Sequence, residues 1–93
     1  MRTSLRIKLA LSALALSAAS AASAAPLCTK APQSRWISPA AMKARIAKMG
    51  YSKVKVFQVA DSCYEIYAVR KDGRRAEVYF NPVSGAVVQS NVD

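Results

Sequence analysis

The chain has 93 residues, two cysteines, no histidine, and 14 Lys and Arg against 5 Asp and Glu, a net charge of +9. That length holds a single domain, and without imidazole there is neither the commonest general base nor a Cys/His zinc site. Two thiolates alone fall short of tetrahedral coordination, so neither a metal nor any other cofactor is expected. The dispersed Gly50, Gly73 and Gly85 make no phosphate-cradling loop.

In chain order, Arg2, Arg6 and Lys8 precede an apolar run over 9–16 that fades into Ala and Ser. This is the three-part pattern of a secretory signal peptide. The triplet Ala22-Ser23-Ala24 fits a cleavage site, whereas cutting one residue later would leave Pro26 at the new N-terminus. The expected division is therefore a signal peptide over 1–24 and a mature protein from Ala25, periplasmic or secreted. A membrane helix needs about 20 predominantly apolar residues, and this run is about half that. Lipidation at Cys28 is not expected, because Ala25-Pro26-Leu27 is no lipobox. No membrane span is expected after cleavage.

Removing 1–24 leaves 69 residues with eleven basic and five acidic side chains, net +6. A domain this short buries only about 60% of its unfolded surface and needs a staple. In an oxidising compartment two cysteines in a small domain form a disulfide more often than a metal site or a nucleophile. A Cys28–Cys63 bridge is expected to contribute about 3 to 4 kcal/mol on the chain-entropy model.

Residues 25–35 hold Pro26, Pro32 and no apolar period, and read as an irregular arm pinned by Cys28. Trp36-Ile37-Ser38-Pro39 opens a helix, with Ser38 as cap and Pro39 at the first helical position, where a missing N–H costs nothing. The helix runs to about Met49 and stops at Gly50, with Met42, Ile46 and Met49 on one face and Lys43, Arg45 and Lys48 elsewhere. Residues 51–59 read as a strand whose alternation breaks between Val56 and Phe57, where a bulge would restore one apolar face.

Residues 63–80 read as a hairpin. A two-residue Asp72-Gly73 loop would scatter the apolar residues over both faces. A three-residue Lys71-Asp72-Gly73 loop pairs Tyr64 with Phe80, Ile66 with Val78 and Ala68 with Ala76, giving one apolar face. The other face then carries Glu65, Tyr67, Val69, Arg75, Glu77 and Tyr79, suited to solvent or to a partner. Asn81-Pro82 ends the strand, Gly85 reverses the chain, 86–89 form a short last strand, and 90–93 should fray. The expected fold is α+β, one helix packed on an antiparallel sheet of three or four strands, over 36–90.

The order Trp36-Ile37-Ser38-Pro39, helix, Gly50-Tyr51, strand, Cys63-Tyr64-Glu65-Ile66-Tyr67, Asp72-Gly73-Arg74, Glu77-Val78-Tyr79-Phe80-Asn81-Pro82-Val83-Ser84-Gly85 resembles a small exported PepSY domain over 36–88. The closing turn, commonly Asp-Pro-x-Thr-Gly in that family, here has Asn81 and Ser84, and Ala40 and Ala41 stand where acids are common. The resemblance implies a non-catalytic module that binds and restrains peptidases, or one that accompanies envelope redox or sensory membrane proteins.

The chemistry-bearing residues agree with a non-enzyme. Glu65 and Glu77 share a face, but facing charges on a solvated sheet are ordinary, and Asp61 and Asp72 are turn residues. The basic clusters Lys43/Arg45/Lys48 and Arg70/Lys71/Arg74/Arg75 could attract phosphates, yet an exported protein meets little nucleic acid. Loose attraction to anionic envelope surfaces is the simpler role for that charge. The expected partner is an exported or membrane-associated protein, a peptidase or a redox or sensor protein. It would be contacted through Tyr67, Arg74, Arg75, Glu77 and Tyr79.

Overall fold

A computed structural model of the protein describes residues 24–93. The expected signal segment, Ala24 apart, lies outside the described residues. The elements are a 3-10 turn over Gln33–Arg35, helix α1 over Pro39–Lys48, and strands β1 (Tyr51–Ala60), β2 (Cys63–Arg70), β3 (Arg75–Phe80) and β4 (Val87–Val92). The strands form one antiparallel sheet in the order β1-β2-β3-β4, with α1 on one face. The fold is α+β, one helix on an open four-stranded sheet.

Local chemistry explains each boundary. The Ser38 side chain accepts the Ala41 N–H at 3.2 Å and Pro39 opens α1, while Gly50 adopts φ +97° just past the end of α1. Met42 and Ile46 are fully buried, but Met49 is 43% exposed. The expected three-residue stripe is thus two residues long, because Met49 is the C-cap and the chain is already leaving the helix there.

The β2–β3 hairpin adopts the three-residue loop. The Gly73 N–H donates to the Arg70 carbonyl at 3.0 Å and the Arg70 N–H to Arg74 at 2.8 Å, with Gly73 at φ +84°. Tyr64 faces Phe80, Ile66 faces Val78 and Ala68 faces Ala76. These six join Met42 and Ile46 in one apolar core, with Trp36, Ile37, Tyr51, Phe57 and Val92 packed around it. Tyr64 ties the helix entry down, donating its hydroxyl to the Ile37 carbonyl at 2.6 Å.

Two further features differ from expectation. The bulges of β1 lie between Tyr51 and Lys53 and between Val54 and Val56, not at Phe57. The second lets Val54 and Phe57 both face the helix side, opposite Ala68 and Ile66, and leaves Val56 opposite Tyr67 on the other face. The chain beyond Gln89 does not fray: Ser90, Asn91 and Val92 pair with Val78, Glu77 and Ala76. Val92 reaches the core, and Asp93 donates its N–H to the Arg75 carbonyl at 3.0 Å.

The closing turn fastens sheet to helix. The Asn81 amide oxygen accepts the Val83 N–H at 2.8 Å and the Ser84 N–H at 3.2 Å, and the Ser84 hydroxyl accepts from Ala86 at 3.2 Å. An amide oxygen supplies the acceptor that a carboxylate would supply, so the turn is closed without the charge. The Ile37 N–H donates to Pro82 at 2.8 Å and the Arg45 guanidinium to Ser84 at 3.1 Å.

Candidate functional site

The sheet face away from α1 was expected to be one mixed surface suited to solvent or to a partner, and the arm makes it two zones. Cys28 and Cys63 are bridged, with Cα atoms 5.1 Å apart, and the Cys28 N–H donates to the Ser62 hydroxyl at 2.8 Å. This fastens the arm across one end of the face, where Tyr79, 2% exposed, packs against the disulfide with Ala25 and Ala60 alongside. The Glu65 side chain is sealed at 3% exposure, while Tyr67 stands 40% exposed. Alternation alone puts Glu65 and Tyr79 on the outward face, but the path of the arm decides that Tyr79 is covered, and Glu65 is buried beside it with Gln58 and Glu77 as partners.

At the join of the two zones, six side chains form a polar network. Register sets it: Gln58 faces Glu65, Glu65 faces Tyr79, Tyr67 faces Glu77, and Glu77 faces Asn91. The two carboxyls are therefore diagonal neighbours. Gln58 donates to Glu65 Oε1 at 2.8 Å, Tyr67 and Tyr79 both donate to Glu77 Oε2 at 3.0 and 2.9 Å, and Asn91 donates to Glu77 Oε1 at 3.1 Å.

That arrangement separates the two acids. Burial, then the hydrogen bond to Glu77, raises the Glu65 carboxyl above its ordinary range. Glu77 is lowered, first by the hydrogen bond from Glu65 and then by its amide and phenol donors, against the opposing effect of burial. The two carboxyls are thus pushed apart, Glu65 toward its protonated form and Glu77 toward its charged form. The same carboxylate pushes the Tyr67 phenol up to about 12, and burial with the Glu77 bond raises Tyr79 further still. Gln58, Tyr67, Tyr79 and Asn91 each donate to one of the two carboxyls. What the network supplies chemically is a closed proton-sharing clamp across β1, β2, β3 and β4.

Beyond the arm, the face opens into a shallow depression of about 430 Å³ lined by Lys55, Tyr67, Arg75, Glu77, Asn91 and Asp93 among others. Arg75 bridges Asp93 at 2.9 Å, with both side chains largely exposed, and the Arg74 Nε donates to the Asp93 backbone oxygen at 2.7 Å. Of the five residues expected to meet a partner, Tyr67, Arg75 and Glu77 border this depression, Arg74 lies at its rim through Asp93, and Tyr79 sits under the arm. Sequence reasoning missed Asn91 and Asp93, having assigned 90–93 to a frayed end. The one signal available was Val92, an apolar residue beyond the weak strand formers Ser90 and Asn91.

Among the described residues no group of three or more His, Cys, Asp and Glu is placed to hold a metal ion, and no helix is long and apolar enough to cross a membrane. The model of the peptidase propeptide and YPEB domain family matches residues 8–91. The chain belongs to the PepSY family. No curated protein and no solved structure matches it. The PepSY match takes in the arm as well as the sheet and helix, and PepSY domains are propeptide- or inhibitor-like modules, generally non-catalytic.

Proposed function

We propose that this PepSY domain is an exported, non-catalytic binding module that docks to an exported or membrane-associated protein and restrains a peptidase. The observation that carries this reading is the half-covered sheet face. The arm closes one end of it, and the other end presents Tyr67, Arg75 and Lys55 around an open depression beside the basic Arg70–Arg74 turn. An exposed phenol in one depression with a guanidinium and an ammonium group has the composition of an interface anchor. The carboxyl pair does no acid–base work in this reading. Glu65 is out of reach of a substrate, and Glu77 is held by four donors.

The test is inhibition of peptidases from the native envelope by the purified disulfide-bonded protein. Inhibition that falls about tenfold or more in an Arg74→Glu/Arg75→Glu variant, with its melting temperature kept, supports the reading. Inhibition unchanged by the double reversal overturns the docking face. Turnover of any substrate that is lost in Glu77→Gln overturns the non-catalytic assignment. Capture of a membrane redox or sensor protein through the same arginines would keep the face and replace the peptidase.

A further inference from the structure

We infer that the free edge of β1 captures an extended acidic segment of a partner protein, adding it to the sheet as a fifth strand. The order β1-β2-β3-β4 leaves two edges, and they are unlike. β4 is six residues long, carries no charged side chain and ends in the Asp93 contacts to the hairpin turn. β1 is ten residues long and carries Lys53 and Lys55 with no acid. An edge strand presents a row of backbone N–H and C=O groups on its open side, and an extended peptide that pairs with them gains main-chain hydrogen bonds independent of its sequence.

Bulges and lysines are also the devices that keep an edge from pairing, but here they occupy only the first half of the strand. From Val56 to Ala60 the register runs residue by residue opposite Tyr67 to Cys63, and none of Val56, Phe57, Gln58, Val59 and Ala60 is charged. That half is a regular pairing template.

The helix-side flank supplies the side-chain recognition. Phe57 divides two grooves there. One, about 500 Å³, runs between α1 and β1 and is lined by Lys43, Ile46, Tyr51, Val54, Lys55 and Phe57 among others. The second, about 450 Å³, is lined by Trp36, Pro39, Phe57, Val59 and Tyr64 among others. Alternate residues of an added strand project to one face about 7 Å apart, so two apolar side chains of one peptide can enter the grooves on either side of Phe57. Val54 and Val59, 42% and 48% exposed, would be covered by the same peptide.

Charge names the occupant. Lys43 Nζ lies 5.1 Å above the Phe57 ring, and Lys43 and Lys55 both border the first groove. A second copy of this chain would bring an edge of the same positive charge, whereas an acidic segment is attracted. This surface meets the Arg75 depression only at Lys55, which borders both, and its edge strand and apolar grooves do not involve Arg74 or Arg75.

The test uses the isotopically labelled, disulfide-bonded protein and an acetylated, amidated synthetic peptide, Asp-Val-Glu-Leu-Glu-Val-Asp. Backbone amide shifts and slowed amide exchange confined to β1 and Lys43 are expected. Binding should weaken about tenfold in a Lys53→Glu/Lys55→Glu variant of unchanged fold. A peptide of the same composition with its apolar residues in one block should bind about tenfold weaker, and one with proline at its centre likewise. The Arg74→Glu/Arg75→Glu variant should bind the peptide unchanged, which separates this site from the docking face. The inference is overturned by an absence of shifts at millimolar peptide, by shifts centred on Tyr67 or on β4, or by equal binding of the block peptide.

Discussion

The two faces of the sheet are sealed by different chemistry. Under α1 the contacts are apolar side chains, Met42 and Ile46 against Tyr64, Ile66, Val78 and Phe80. On the other face the seal is a disulfide, one tyrosine ring and a buried carboxyl whose burial favours its protonated form. Burial on the first face gains about 25 cal/mol per Å² of apolar surface whatever the pH or redox state. The second face answers to both. A small domain whose single core is thin can therefore be firm on one side and conditional on the other.

The largest effect should come from the first face. Phe80→Ala removes a fully buried ring from the centre of the apolar core and is expected to cost about 3 to 5 kcal/mol. For a domain of this size that approaches the whole stability, and chemical denaturation of the variant should show little or no folded baseline. A cooperative transition close to that of the parent would mean the helix face is not the structural base of the fold.

Removing the bridge with Cys28→Ser/Cys63→Ser should cost about 3 to 4 kcal/mol, nearly as much, but with a different signature. The arm is freed, Glu65 becomes wet, and its carboxyl returns toward its ordinary range, so the pH dependence it causes should vanish along with the lost stability. Equal melting temperatures for oxidised and reduced protein would show that the arm stays in place by its other contacts, such as the Trp36 indole N–H bond to the Ala31 carbonyl at 3.1 Å.

The first face was the more legible in the sequence. Binary pattern chose the three-residue hairpin loop, and the Ser38-Pro39 start and Gly50 stop located the helix, because each of these is decided within a few residues. The second face was read only to the level of alternation. That Glu65 and Tyr79 point away from α1 follows from the period of two. The burial of Tyr79 follows from where Cys28 carries a segment with no period of its own, bridged to Cys63 35 residues away in sequence. The end of β4 failed for a related reason. Ser90 and Asn91 have weak strand propensity, and their pairing with Val78 and Glu77 is imposed by the neighbouring strand rather than by their own composition.

Smaller changes probe the polar clamp itself. Tyr79→Phe keeps the ring against the disulfide and removes the hydroxyl that donates to Glu77 Oε2 at 2.9 Å. A half-buried carboxylate that loses one of its donors should cost about 1 to 2 kcal/mol, read as a lower denaturation midpoint with an unchanged slope. The loss should shrink in acid, where Glu77 is protonated in both states. A loss that is constant down to acid pH would assign the effect to packing instead.

Glu65→Gln gives the smallest change and the one most diagnostic of the second face. The native Glu65 carboxyl is raised above its ordinary 4.5, so the folded state binds that proton more tightly than the unfolded state. Its contribution is complete below 4.5 and is lost as pH climbs through the raised native value. Glu77 has the opposite sign: lowered in the native state, it contributes above its ordinary 4.5 and is lost as pH falls through its native value. The parent should therefore be most stable between the two and decline on either side. Glutamine is neutral at every pH and its amide can still donate to Glu77, so the variant should keep the acid-side decline and lose the neutral-side one. Its stability relative to the parent then rises with pH and levels off once Glu65 would have ionised. Parallel pH profiles for parent and variant would mean that Glu65 is ionised beneath the arm, and that the arm seals a charge rather than a proton.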